Sequence, residues 1–169
     1  MNNLSKIIRV LQLLFTVFTL TSTHAQFINK HWGKSMMESP NGTKMEVSFA
    51  VGLKETTKGL SGLAADVMKP NQGLFFYYEK MGPMAFWMPN TFFDLDIIFI
   101  DKDLKIVAVE ENVKHFEKKG PPEAIPTTKQ HHAQYVLELR AGQAKKFGIR
   151  PGKQLKWPDI KEKAQRFKD

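Results

Sequence analysis

Thr43–Val51 (TKMEVSFAV) alternates cleanly: Met45, Val47, Phe49 and Val51 share one face, and Lys44, Glu46, Ser48 and Ala50 share the other. That period of two is the signature of a half-buried strand. Gly73–Tyr78 (GLFFYY) reads as an aromatic strand, bounded by Asn71-Gln72 and by Lys80–Pro83. In Leu95-Asp96-Ile97-Ile98-Phe99-Ile100 both parities are mostly apolar, which fits a strand covered on both faces. Asp101–Leu104 is a turn signal, Lys105–Glu110 (KIVAVE) the return strand, and Tyr135–Leu139 (YVLEL) a further strand. Between them, Asn112–Gln130 carries Pro121, Pro122 and Pro126 and reads as a long loop, a kind of segment often used for function.

Helical signals are short. Lys54–Leu63 is a brief helix or turn weakened by Gly59 and Gly62, and Ala141–Phe147 a short helix stopped by Gly148. Pro158–Phe167 predicts a basic helix in which Trp157, Ile160, Ala164 and Phe167 line up as an apolar stripe. Residues 26–42 show no period and contain Pro40-Asn41-Gly42, so they read as a linker. The pattern predicts a mainly β domain over 43–156 with a C-terminal tail over 157–169.

The N-terminus has a different character. Met1–Arg9 is polar and positive, Val10–Leu20 is apolar, and Thr21–Ala25 is small and polar. This order is that of a secretory signal peptide, and the apolar run is shorter than the ~20 residues a membrane-spanning helix needs. The expectation is an exported protein, periplasmic or extracellular. Charge then changes meaning with position. The 25 Lys and Arg against 17 Asp and Glu give +8, but residues 1–25 carry +2, residues 26–142 carry 0, and residues 143–169 carry +6. The body is neutral, which turns the reading away from nucleic acid. The basic tail leaves weak contact with a membrane surface as an alternative role. The chain has no cysteine, which excludes disulfides, thiolate metal sites and a cysteine nucleophile.

Four segments resemble one family. They are Lys58–Leu63 (KGLSGL), Gln72–Phe76 (QGLFF), Phe86–Thr91 (FWMPNT) with Leu95–Asp101 (LDIIFID), and Tyr135–Leu139 with Ala141-Gly142 and Gly148-Ile149. Together they are similar to the domain-of-unknown-function 192 family, small and often exported prokaryotic proteins. The resemblance implies a jelly-roll-like sandwich or partly closed barrel with short helices. It implies no activity and carries over no catalytic residue. Leu63, Pro89, Asp94 and Lys153 stand where that family commonly has other residues.

Candidate chemistry concentrates around the Trp-Met-Pro-Asn-Thr turn. Trp87 offers an apolar wall and an N–H donor, and Asn90 and Thr91 offer polar groups at a rim. The alternative is a corner, with Trp87 in the core and Asn90 and Thr91 tying the turn. Asp94 and Asp96 share a parity and would stand ~6.6 Å apart along a strand, close enough to couple in acid–base work or cation binding. The competing role for Asp96 is to accept backbone N–H groups of the Trp87–Thr91 turn. Glu110 and Glu111 end the following strand, and the two readings for them are the same rim or solvent. His115, His131 and His132 lack metal-ligand spacing, and Met81, Met84 and Met88 read as core filler, so no metal or cofactor is expected. Ser61 lacks the spacing of a hydrolase elbow. The sequence reading is therefore a small-molecule or envelope-component binder whose rim is Trp87, Asn90, Thr91, Asp94, Asp96 and Glu110, with an envelope-polymer hydrolase using the carboxylates as the alternative.

Overall fold

A computed structural model describes residues 34–117 and 121–166. The signal-peptide reading of residues 1–25 and Phe167 of the apolar stripe lie outside them. Six strands form one mixed sheet: β1 (Lys34–Glu38), β2 (Lys44–Val51), β3 (Gln72–Met84), β4 (Leu95–Ile100), β5 (Ile106–Val113) and β6 (His131–Arg140). Their order is β1-β2-β3-β6-β4-β5. Only β2 and β3 run parallel among these pairings. A parallel pair needs a crossover rather than a hairpin, and the segment holding helix α1 (Leu53–Lys58) supplies it. Two more short helices follow, α2 (Gln143–Lys146) and α3 (Ile160–Arg166).

The mainly β class with short helices is what the chain adopts, and the sheet does not close on itself. Its two edges are nonetheless bridged at one end by a single segment. Lys156 exchanges backbone hydrogen bonds with Glu38 at the end of β1, at 3.1 and 2.9 Å. Leu155 donates to Leu104, and Ile106 of β5 donates to Lys153. Residues 152–156 thus lie between the outer strands.

One face of the sheet carries the main core. The alternating set Met45, Val47, Phe49 and Val51 is buried there with Phe75, Ile98, Ile100, Ile106, Tyr135, Leu137 and Leu139. The tail docks on the same core through Trp157, Ile160 and Ala164, with the indole of Trp157 at 4.8 Å from the Phe49 ring and 5.0 Å from Phe75. The tail's apolar stripe is therefore covered by the body, and the domain reaches past residue 156. Gly148 stops α2 as expected, in a left-handed conformation at φ 67° that glycine tolerates best.

Three sequence expectations are corrected. The linker assigned to 26–42 contains β1, an edge strand that turns only Ser35 and Met37 inward and so has no hydrophobic alternation to announce it. β3 continues through Lys80–Pro83 to Met84, because a register irregularity between Tyr77 and Gly82 lets the exposed end pair again with β6. β5 runs on to Val113, and the rest of the loop is tied to 86–91 by backbone bonds from Met88 to Pro126, Thr128 to Phe86, and both ways between Thr91 and Phe116.

Candidate functional site

The second face of the sheet is also covered. Leu74 of β3, Glu138 of β6 and Ile97 of β4 lie side by side in register, flanked by buried Phe76, Val136, Leu95 and Phe99. Arg140, two residues beyond Glu138 on the same face, clamps the segment after α1 by donating to the carbonyls of Ala65 and Met68, and its guanidinium stands 5.0 Å from the Phe93 ring centre. A carboxylate in the middle of such a face is out of place by composition alone.

Glu138 is 5% exposed, and its Oε2 is fully buried with no hydrogen-bond partner. Burial alone pushes its carboxyl up to about 8, because removing a carboxylate from water penalises the charged form. At neutral pH it is mostly a protonated acid, which both donates and accepts. Above it opens a cleft lined by the end of α1 and the turn after it (Thr56–Ser61), by Phe76, Phe86 and Leu95, and by the 87–91 turn. The cleft has about 40 Å³ of room for atom centres, enough for a few waters or one small chemical group. Gly59 stands close to the acid: a Cβ there would meet the Phe76 ring at 3.3 Å and Glu138 Oε2 at 4.0 Å. Its φ of 48° is a second reason for glycine at this position.

Of the six candidate rim residues, Trp87 and Thr91 line this cleft. Trp87 is 55% exposed, so it is a wall at the mouth rather than a core residue. Its strand-like bridge to Thr127 and the Met88–Pro126 bond hold it in place. Thr91 is buried behind the mouth. Asn90 is exposed and does not line the cleft; it takes φ 51°, and its carbonyl accepts the Gly62 N–H at 2.8 Å, fastening the turn after α1 to the 87–91 turn.

The carboxylates expected at the rim serve elsewhere. Asp96 is fully buried but accepts the N–H groups of Asn112 at 3.0 Å and Ala144 at 2.9 Å, not those of the Trp87–Thr91 turn. Its parity, shared with Ile98 and Ile100, points it to the core face and to α2. Asp94 takes Lys114 Nζ at 2.7 Å and the backbone N–H and Nδ1 of His115 at 2.9 and 2.6 Å. Partial burial pushes its carboxyl up, but these bonds outweigh that and hold it at about 2. Glu110 bonds His131 at 2.7 Å, and that imidazole lies 4.6 Å from the Phe99 ring. Asp94 and Asp96 are thus bound to separate donors and do not form one acid–base pair. Glu111 and His132 are exposed, and among the described residues no group of three His, Asp or Glu is arranged to hold a metal ion.

Glu138 is the residue that sequence reading missed. In Tyr135–Leu139 the alternation marks Tyr135, Leu137 and Leu139 as inward, which leaves Glu138 looking solvated. The usable signal lies in the neighbouring strand. β4 is apolar on both parities, so the second face must be covered, and β6 pairs directly with it.

The family model DUF192, described as Uncharacterized ACR, matches residues 36–157. Among solved structures, a protein from Sinorhizobium meliloti 1021 named a candidate transcription regulator is 30% identical. It superposes with a TM-score of 0.61 over 74% of this chain and 94% of its own. A protein of unknown function from Novosphingobium aromaticivorans DSM 12444 is 23% identical, with a TM-score of 0.59 over 75% of this chain and 85% of its own. None of the curated proteins matches the chain.

Proposed function

The chain belongs to the DUF192 family of uncharacterized proteins, and from that premise we propose that it is an exported, non-catalytic domain that binds a small polar group in the Glu138 cleft. One observation carries this reading: a buried carboxyl oxygen without a partner, at the floor of a cleft whose mouth holds a half-exposed tryptophan. Leaving such an oxygen unpaired costs about 1–3 kcal/mol. A ligand that bonds it recovers that energy. The export component rests on the Met1–Ala25 pattern.

Binding is favoured over hydrolysis of an envelope polymer. Hydrolysis of a glycosidic bond normally asks for two carboxyl groups across the bond. This cleft offers one, since Asp94, Asp96 and Glu110 each have partners away from it. The membrane-surface alternative for the tail loses its apolar face, which packs on the body. A regulator role like that named for the S. meliloti relative would rest on the basic residues of 143–169 alone, because residues 26–142 carry no net charge.

The test is a titration of the isotope-labelled full chain with small amines, amides, carboxylates and sugars, followed by amide chemical shifts. Shifts grouped on Gly59, Ser61, Met88 and Glu138 support the reading. Shifts confined to residues away from the cleft, or none with any compound, overturn it.

A further inference from the structure

We infer that the group bound over Glu138 is a primary ammonium on a small aliphatic ligand. This deepens the cleft-binding reading and rests on it. A fully buried carboxyl is normally paired with a cation or with several N–H donors. Glu138 Oε2 has neither, while Asp96, equally buried, has two N–H donors. The fold therefore satisfies the carboxylate that serves structure and leaves this one unpaired in the lining of a cleft.

The cations nearby are already engaged. Arg140 is held by the Ala65 and Met68 carbonyls. Lys58, at the end of α1, has a partner of its own. Tyr78, on the same face, is pushed up to about 12 by burial and then by the Glu138 charge, so it stays neutral. On β4 the facing residues are the apolar Leu95, Ile97 and Phe99. A ligand cation would be the missing counter-charge.

The walls suit the same group. Phe76, Phe86 and Trp87 present aromatic surface, and aromatic rings attract ammonium through their quadrupoles, best with tryptophan. Thr56, Thr57 and Ser61 supply hydroxyl oxygens as further acceptors for N–H donors. The small volume admits the ammonium and a short alkyl arm.

Binding also has a proton signature. At pH 7 the free acid is mostly protonated, so pairing with an ammonium expels that proton to solvent; nothing else is transferred. Propylammonium, propionamide and propionate are the probes, titrated calorimetrically into the full chain between pH 6 and 9 in buffers of different ionisation enthalpy. Propylammonium is expected to bind, with close to one proton released at pH 7. Its affinity should be about 100-fold weaker at pH 6 than on the plateau above pH 8. Glu138→Gln should abolish this binding while the variant remains folded. Preferential binding of propionamide or propionate, or affinity that falls as pH rises through 8, overturns the ammonium assignment and leaves the cleft reading standing. Binding of none of the three overturns the ammonium assignment, and the absence of cleft shifts with every compound of the isotope-labelled titration, sugars included, overturns both.

Discussion

Replacing Glu138 with glutamine tests the burial of its carboxyl without reference to any ligand. The amide has the same shape and carries no charge at any pH. In the native chain the acid titrates at about 8, against an ordinary value of 4.5. Between those two values the unfolded chain has lost the proton and the native chain still holds it. Stability must then fall as pH rises, by about 1.4 kcal/mol per unit. The loss begins near pH 4.5, reaches about 3 kcal/mol at pH 7 and levels off above pH 8. Glu138→Gln removes that slope. It should match the native chain near pH 4.5 and exceed it by about 3 kcal/mol at pH 7, a shift of roughly 10 °C in Tm. Urea unfolding of both proteins between pH 4.5 and 9 measures the difference directly, and other groups cancel in the comparison. Parallel pH profiles for the two proteins would refute the reasoning, because they would mean that Glu138 ionises as easily folded as unfolded.

Four further outcomes follow from the same geometry. Asp96→Ala strands the buried N–H groups of Asn112 and Ala144 and should cost about 2–4 kcal/mol in urea unfolding, with no change in cleft affinity in the folded fraction. Trp87→Ala should change stability by under about 1 kcal/mol, since the ring is half exposed, yet weaken binding at the cleft at least severalfold in the same calorimetric titration. Trp157→Ala opens a cavity beside Phe49 and Phe75 and should cost about 3–5 kcal/mol, read as a lowered urea midpoint. Asp94→Asn should cost about 1 kcal/mol at pH 6, after discount for the exposure of Lys114. Because the Asp94 carboxyl is held below its ordinary value of 3.8, at about 2, that difference should vanish as pH falls through this range; stability measured at pH 2 and 6 checks it.

What the sequence made legible was whatever obeyed a single period on one face. Met45 to Val51 showed β2, and the stripe of Trp157, Ile160 and Ala164 foretold a helix with a face to bury. β1 escaped because an edge strand facing one way with Ser35 and Met37 carries too little hydrophobic signal to distinguish it from a linker. Glu138 escaped for the opposite reason. Its outward phase on β6 was correct, but outward here means toward a second covered face formed by residues distant in the chain. The Trp87 turn was singled out because its residue types are unusual together, and its half-exposed ring stands in the lining of the cleft. Asp96 was read as needing N–H donors, and in the structure Asp94, Asp96 and Glu110 all take partners. Sequence spacing could not reveal that Lys114, Ala144 and His131 provide them across intervals of 20, 48 and 21 residues.

The strip of backbone at residues 152–156, held between Glu38 and Leu104–Ile106, sets an order of events during synthesis. A nascent chain that has emerged only as far as Arg140 has all six strands but leaves both outer strands with bare hydrogen-bonding groups, a template for other chains. It also lacks Trp157, so the aromatic cluster around Phe49 and Phe75 is open to water. Residues 152–157 supply partners to both edges at one end of the sheet and cover that cluster. Between the appearance of the sixth strand and that of Trp157, the domain therefore passes through a stage in which it is nearly complete and still able to pair with its neighbours.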